Sequence, residues 1–302
     1  MGTRLSFVSL VKASRDIANV KQAIAKSLDL INYSFPEDAR KIIIKPNLCY
    51  YWDYSTGQTT DPRFVAALID LLRERVSDNL EISIVESDAS AVQCDYAFKF
   101  LGYEKMAQDK KVRLVNLSKE KSRPAKVEVN GRIFSFKLPR IIEEADLRIN
   151  VPKMKYHPLT KVSCALKNIY GCNPFPRKFK YHSRLNQIIV ALNKIMQIDL
   201  CILDGLIVFG GSSCRLNLVM SSVDPVALDS TACKIMGVNP KSVSHLLLAY
   251  KERVGNINCV YKGVSPNHFK ERFPRESASQ KIMQIGYRLV IKLRLSNRLG
   301  LN

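Results

Sequence analysis

The densest run of residues able to do chemistry lies between Lys153 and His182. It opens as Ile149-Asn150-Val151-Pro152-Lys153-Met154-Lys155-Tyr156-His157-Pro158-Leu159-Thr160 and continues as Lys161-Val162-Ser163-Cys164-Ala165-Leu166-Lys167-Asn168. Lys153, Lys155 and Lys167 supply positive charge, Thr160 and Ser163 hydroxyl donors, and Asn168 an amide. Such a set suits a phosphate or a carboxylate. His157 and His182 are the candidates for catalytic proton transfer, because imidazole changes charge near neutral pH; His157 can equally serve as a metal ligand, with no metal specified. The loop Cys172–Tyr181 between them adds Arg177, Lys178 and Lys180.

Three more segments carry polar groups at the ends of apolar runs. Lys45-Pro46-Asn47 offers Lys45 and Asn47 to a ligand, Glu86-Ser87-Asp88 offers a carboxylate to orient a lysine or take a proton, and Asp204-Gly205 offers a ligand for a hydroxyl or a metal. Each has an ordinary structural alternative. Strand-end lysines are often only solvated, Asn47 can cap a turn, Glu86 can serve in an ion pair, and Asp224 reads better as a helix cap than as a catalyst. Gly210-Gly211 permits close backbone approach but lacks P-loop spacing.

The elements that must position these groups follow from periodicity. Leu5–Leu10, Lys41–Leu48, Leu80–Glu86, Val112–Leu117, Ala145–Val151 and Asp199–Leu203 read as buried strands, and Arg215–Ser221 as a strand at the sheet edge. Between them, Asp16–Ile31, Pro62–Arg75 and Arg184–Met196 have helical spacing. Asp61-Pro62 and Asp224-Pro225 each combine an N-cap residue with proline at the first helical position. This alternation predicts an α/β fold, a mostly parallel sheet with helices on both faces. Lys126–Phe136 departs from it: two alternating pairs flank Asn130-Gly131, the signature of an inserted β-hairpin. In open sheets of this kind ligands sit beyond the carboxyl ends of the strands, where the polar segments fall.

The chain of 302 residues is 46% hydrophobic and 25% charged, which suits a globular protein with a substantial core. The net charge of +20 favours polyanions or small anions as partners. The 8 cysteines are scattered without a C-x-x-C pair, so no iron–sulfur or zinc spacing is present. No signal-peptide h-region opens the chain and no apolar run reaches the ~20 residues of a membrane span, so a cytoplasmic location is expected. From Ser277 onward, Ile282, Met283, Ile285, Leu289, Val290 and Leu293 form one face of a basic amphipathic helix. It packs on its own domain, on an anionic membrane surface at the inner face of the membrane, or on a partner. The domain reading is an α/β unit over 1–276 followed by this helix over 277–302.

The ordered set Lys45-Pro46-Asn47-Leu48, Thr59-Thr60-Asp61-Pro62, Val85-Glu86-Ser87, Asn150-Val151-Pro152-Lys153 with Lys155 and His157, Ala165-Leu166-Lys167-Asn168, Gly171, His182, Asp204-Gly205 and Asp224-Pro225-Val226-Ala227-Leu228-Asp229 resembles the domain-of-unknown-function-362 family of bacteria and archaea. The resemblance covers roughly residues 5–240. Many members of that family carry a ferredoxin-like [4Fe–4S] segment, which has no counterpart in this sequence. The family is also distantly similar to the catalytic part of nickel-dependent lactate racemase, whose class uses lysines and histidines around a phosphorylated, pyridinium-derived cofactor. The resemblance therefore makes a phosphorylated organic cofactor near Lys153, Lys167 and His182 an expectation. The leading functional reading is an enzyme, oxidoreductase or racemase-like, acting on a small anionic ligand. In that reading His157 and His182 move protons, while Lys45, Asn47, Lys153, Lys155, Thr160, Lys167, Asn168 and Asp204 hold the ligand. The alternatives are a nucleic-acid-binding protein, which lacks a recognisable module here, and a peripheral membrane-associated binding protein.

Overall fold

The computed structural model describes residues 5–286 apart from Arg15, Cys49, Lys281 and Gln284. Its strands in chain order are β1 (Phe7–Lys12), β2 (Lys41–Pro46), β3 (Glu81–Glu86), β4 (Arg113–Asn116), β5 (Ser122–Val129), β6 (Arg132–Pro139), β7 (Leu147–Val151), β8 (Lys155–His157), β9 (Lys161–Ser163), β10 (Leu200–Phe209), β11 (Ser213–Ser222) and β12 (Val260–Gly263). The helices are α1 (Val20–Asp29), α2 (Pro62–Arg75), α3 (Cys94–Phe100), α4 (Tyr103–Asp109), α5 (Arg140–Glu143), α6 (Ala165–Asn168), α7 (Leu185–Met196), α8 (Pro225–Ile235), α9 (Ser244–Lys251) and α10 (Pro266–Lys270).

The main sheet runs β12-β1-β11-β10-β7-β2-β3-β4. From β10 to β4 every neighbouring pair is parallel. The mostly parallel sheet and the β5–β6 hairpin match the sequence reading. At the hairpin, Asn130 and Gly131 have φ of 50° and 70°, the positive values that a type I′ turn requires.

Period-two alternation sends each strand's side chains into two cores. Ile42 and Ile44 of β2, with Leu200 and Ile202 of β10, pack under α1 and α2. Ile43, Cys201 and Leu203 pack on the opposite face with α7, α8 and α9. The chain is thus a helix–sheet–helix sandwich. The path β2-β3-β4 winds to one side of β2, and β7-β10 to the other, so the direction reverses between β2 and β7. The register Lys45↔Asn150 and Pro46↔Val151 aligns the carboxyl ends of those two strands. A crevice at such a reversal is where open α/β sheets take ligands.

Three sequence expectations change. β11 is not an edge strand: it lies between β1 and β10, antiparallel to both. Only its first residues, through Arg215, reach solvent, and these polar positions gave the appearance of an edge. The strand expected to end at Leu203 continues to Phe209, with an irregularity between Gly205 and Ile207, so Asp204 sits inside the sheet. The segment after Val151, to which the periodicity assigned no element, contains a small hairpin, β8–β9, with His157 opposite Lys161. Of the helix expected from Ser277, residues 278–280, 282, 283, 285 and 286 are helical, and the remainder lies outside the described residues. No helix among the described residues is long and apolar enough to cross a membrane.

Asp224 shows how a single cap ties distant segments together. Its Oδ1 accepts the Val226 and Ala227 N–H groups at 2.8 and 3.0 Å, closing the start of α8. Its Oδ2 accepts the Ser6 hydroxyl at 2.6 Å and the Asn256 N–H at 2.7 Å. A Cβ on Gly255 would fall 1.9 Å from Asp224 Oδ1, so only glycine fits against this carboxylate. Asp224→Ala removes a cap and strands buried donors, and is expected to cost about 2–4 kcal/mol of unfolding free energy. Asp224→Asn, which keeps one acceptor, should cost less, and urea denaturation of the two variants checks the order.

Candidate functional site

A cleft of about 680 Å³ opens over the carboxyl ends of β2 and β3 and is closed on the far side by β8, α6 and the 176–182 segment. Lys45, Asn47, Lys155, His157, Lys167, Asn168 and His182 all line it. The fold thus brings seven of the ten residues singled out as catalytic or ligand-binding to one cavity. The other three lie elsewhere. Lys153 and Asp204 form a wholly buried pair, Nζ to Oδ2 at 3.1 Å. Asp204 also accepts the Asp61 N–H at 2.9 Å and the Leu206 N–H at 3.1 Å, so its lone pairs serve the start of α2 and β10. Burial holds the Lys153 ammonium below its usual pKa against the opposing pull of Asp204. Thr160 donates to the Val162 carbonyl at 3.0 Å and braces the β8–β9 turn.

The floor of the cleft is a second buried ion pair. Lys45 is 1% exposed, and its ammonium reaches Glu86 Oε2 at 2.7 Å and the Pro46 carbonyl at 2.6 Å. Glu86 Oε1 accepts the Ser87 N–H at 2.9 Å. Gly171 lies directly on this pair: a Cβ there would stand 2.6 Å from Glu86 Oε1 and 2.8 Å from Lys45 Nζ. Glycine is needed for close approach, which accounts for a residue whose role the sequence left open.

Lys178 is the unexpected member. It was one of three loop cations in the sequence, yet it is buried and donates to Ser87 Oγ at 2.7 Å. Ser87 in turn is hydrogen-bonded to the Gly171 and Asn173 carbonyls. Burial pulls the Lys178 pKa down to about 8, with Glu86 resisting, so near neutrality it can exist as ammonium or amine.

α6 aims Lys167, and it is too short to be stable alone. Asp229 of α8 accepts the Ala165 and Leu166 N–H groups at 2.7 and 3.2 Å, capping α6 from across the core. Asn168 donates to the Lys45 carbonyl at 3.1 Å and to Asn150 Oδ1 at 2.7 Å, pinning the other end to β2 and β7. Asp229 follows Asp224 by about a turn in sequence, and nothing local signals this long-range cap. Burial raises its pKa to about 7, opposed by its hydrogen bonds from Cys164, Ala165 and Leu166.

Three of the chain's four histidines feel Lys167. His157 Nδ1 accepts the Leu159 and Thr160 N–H groups at 3.2 and 3.3 Å, so its proton resides on Nε2. Desolvation, followed by Lys167, holds its pKa well below the ordinary range. The ring of His182 packs edge-on to Phe179 with centroids 4.9 Å apart, and desolvation with Lys167 brings its pKa down to about 4. His245 of α9 is wholly buried, its ring nitrogens find no partner among the described residues, and its pKa falls to about 3 for the same two reasons. All three imidazoles are therefore neutral near pH 7.

Sequence reasoning did not single out Gln58, Tyr170, Tyr50 or Trp52, which also line the cleft. The Gln58 carbonyl accepts Asn47 Nδ2 at 2.8 Å and Lys155 Nζ at 2.9 Å, so a loop backbone orients two ligand candidates. The aromatic run Tyr50-Tyr51-Trp52 directly after a strand end was the available signal. Among the described residues the cysteines are free and no group of three or more His, Cys, Asp or Glu side chains is placed to hold a metal ion.

Lys153→Met leaves Asp204 as an uncompensated buried charge and is expected to cost about 3–5 kcal/mol in chemical denaturation. The pH dependence has a definite sign. Between about pH 4 and 6.5 the unfolded chain protonates histidines that the fold keeps neutral, so unfolding takes up protons and stability rises with pH. Asp229 acts oppositely, since its folded pKa is raised from 3.8 to about 7 and its contribution is lost as pH rises through that window. Asp229→Asn should therefore steepen the rise, as read from denaturation midpoints at pH 4.5, 5.5 and 6.5.

Among known proteins, the family model described as domain of unknown function (DUF362) matches residues 42–234. A thylakoid-associated protein of Synechocystis sp. is 30% identical over 125 residues, 37% of this chain and 38% of that protein. The lactate racemase apoprotein of Thermoanaerobacterium thermosaccharolyticum aligns with a TM-score of 0.47 at 12% identity, covering 77% of this chain and 57% of that one. A protein of Thermotoga maritima aligns with a TM-score of 0.44 at 10% identity, covering 73% and 58%. This chain thus spans less than two thirds of each of these relatives. The family match runs from β2 into α8, through the cleft's lysines and histidines at 45, 155, 157, 167, 178 and 182, and the chain belongs to the DUF362 family.

Proposed function

We propose that the cleft binds a small organic anion, phosphorylated or carboxylated, and that His157 and His182 exchange protons with it. One observation carries the reading: two neutral histidines line the same cavity, each with its pKa held down by burial and, next, by Lys167. A neutral imidazole can accept a proton, and the imidazolium so formed can give one back. The charge that must be stabilised is negative, and the cations are already in place. Lys167 and Lys155 line the cleft, with Lys178 behind them at the Ser87 side.

The reaction these groups suit is proton abstraction from a carbon beside the anionic group, as racemases and many oxidoreductases require. The C–H bond breaks, its proton passes to the His182 ring, and the electron pair stays in the ligand, opposed by the lysine ammonium groups. His157, after taking a second proton from solvent, returns one to the carbon and is neutral again, and His182 releases its proton to solvent, which completes the exchange. The bound anion also offsets Lys167, which raises both imidazole pKa values toward the range where proton transfer is efficient. A phosphorylated organic cofactor fits the same cations: Lys155, Lys167 and Lys178 would hold its phosphate, and it would supply the electron-withdrawing capacity.

Native mass spectrometry and thermal shift with panels of phosphorylated and carboxylated compounds test the binding. Lys167→Met is expected to weaken it, and to move the His182 titration seen by NMR upward from about 4 toward 6.5. For any compound that binds, exchange of its C–H hydrogen in deuterated water should fall about 100-fold or more in His157→Gln and His182→Gln while binding persists. Unchanged binding in Lys167→Met together with unchanged exchange in both histidine variants would sink the assignment.

A further inference from the structure

The mouth of the cleft carries a cluster of exposed aromatic side chains that the chemistry within does not use. Tyr50, Tyr51 and Trp52, on the loop after β2, are 45, 41 and 44% exposed. Tyr96 and Phe100, one turn apart on α3, are 51 and 64% exposed. They form one surface. Tyr96 stacks on Phe100 with centroids 5.9 Å apart, Tyr51 meets Phe100 edge-on at 5.7 Å, and Tyr50 lies 4.8 Å from Trp52. Gln93 N–H donates to the Tyr51 hydroxyl at 3.0 Å and holds the loop against the segment before α3.

Two other surfaces border the same cleft. Tyr50 and Trp52 share the cleft wall with Met283, and Met283 belongs to a segment whose Ile282, Met283 and Ile285 are 69, 69 and 55% exposed. Across the cleft, the segment that contributes Phe179 and His182 to its wall carries exposed Arg177, Lys180 and Arg184, and Lys99 is exposed beside Phe100. Asp53 and Asp95 are exposed on the same rim, with Asp95 held by Lys119 at 2.5 Å. Large solvent-facing aromatics need a reason on a monomer surface, and here they are rimmed by cations on a chain of net charge +20.

We propose that this aromatic rim docks the protein on an anionic lipid bilayer, with the mouth of the cleft facing the headgroups. Tyrosine and tryptophan favour that depth because one end of each ring system is apolar and the other polar. The basic side chains meet the negative surface potential. The neighbouring exposed isoleucines and methionine add apolar area that a headgroup region accepts. A nucleic acid is the weaker match, since base stacking needs open ring faces and Tyr96, Phe100, Tyr50 and Trp52 already use faces against one another. The inference is independent of which anion the cleft takes.

Trp52 is the chain's 1 tryptophan, so its fluorescence reports this surface alone. Full-length protein is mixed with vesicles of phosphatidylcholine containing about one third phosphatidylglycerol, and separately with phosphatidylcholine vesicles. The expected result is a blue shift of the emission and co-flotation with the anionic vesicles, both weakening as salt rises. Tyr96→Ser with Phe100→Ser, both at exposed positions, should weaken partitioning about tenfold or more with the thermal unfolding midpoint unchanged. Three results overturn the proposal. One is no shift and no flotation. Another is flotation undiminished in the Tyr96/Phe100 variant, which would assign binding to a different surface. The third is an emission shift with single-stranded oligonucleotides, or on self-association in sedimentation, but not with vesicles.

Discussion

An ammonium group taken out of water has to be compensated on every side, and Lys45 imposes that constraint at the centre of this fold. It leaves β2 at the carboxyl edge of the sheet, 1% exposed, and is met by Glu86 from β3 and by the carbonyl of Pro46. Burying such a pair gains little net stability, because desolvation offsets most of the Coulomb attraction. What it enforces is geometry. β2 and β3 must end level, Ser87 must present its N–H to Glu86, and the chain passing overhead must be glycine at 171. Ser87 then becomes the anchor for Lys178. One buried charge thereby organises both strand ends and the segment that returns across them.

The walls of the cleft depend on similar long-range compensation. α6 is a 4-residue helix that presents Lys167, and neither end is satisfied by its own sequence. Its first N–H groups go to Asp229 and its last residue is tied through Asn168 to β2 and β7. The second pair, Lys153 with Asp204, plays the same part between the β7 end, α2 and β10. Buried ionisable groups at this density are costly for a fold. They concentrate where a site needs rigid cations and imidazoles that stay uncharged.

The histidines illustrate how burial and neighbours set chemical character. Their ordinary pKa would leave them partly protonated in mildly acidic solution. Burial first, and then the charge of Lys167, keeps His157 and His182 neutral, so the positive charge of the cleft comes from its lysines. Lysine charge and uncharged imidazole nitrogens thus share one cavity wall. The exposed rings of Tyr96 and Phe100 stand outside that charge arrangement, on a helix that lends no residue to the cleft wall.

The sequence by itself determined the local features. Asp-Pro pairs set the starts of α2 and α8 because capping and fixed φ act within a few residues, and Asn130-Gly131 set the hairpin for the same reason. Apolar alternation identified β2, β3 and β7, and with them the strand ends at which Lys45, Asn47, Lys155, His157, Lys167, Asn168 and His182 meet. Only the tertiary structure decided what depends on pairing across the chain. Lys153 and Asp204 look like ligand residues locally but neutralise each other in the interior, because β10 runs on past Leu203. Lys178 looks like a solvated loop cation, and Ser87, Gly171 and Asn173 draw it inside. Asp229 and Gly171 carried no local signal, since a cap 64 residues away and a contact with a buried ion pair exist only once the sheet has formed. β11 appeared marginal because its first residues are polar, and its central place follows from hydrogen bonding to β1, over two hundred residues earlier in the chain. Periodicity and capping are short-range interactions and can be read along one strand or helix, whereas charge compensation is settled by whichever group the fold brings within about 3 Å.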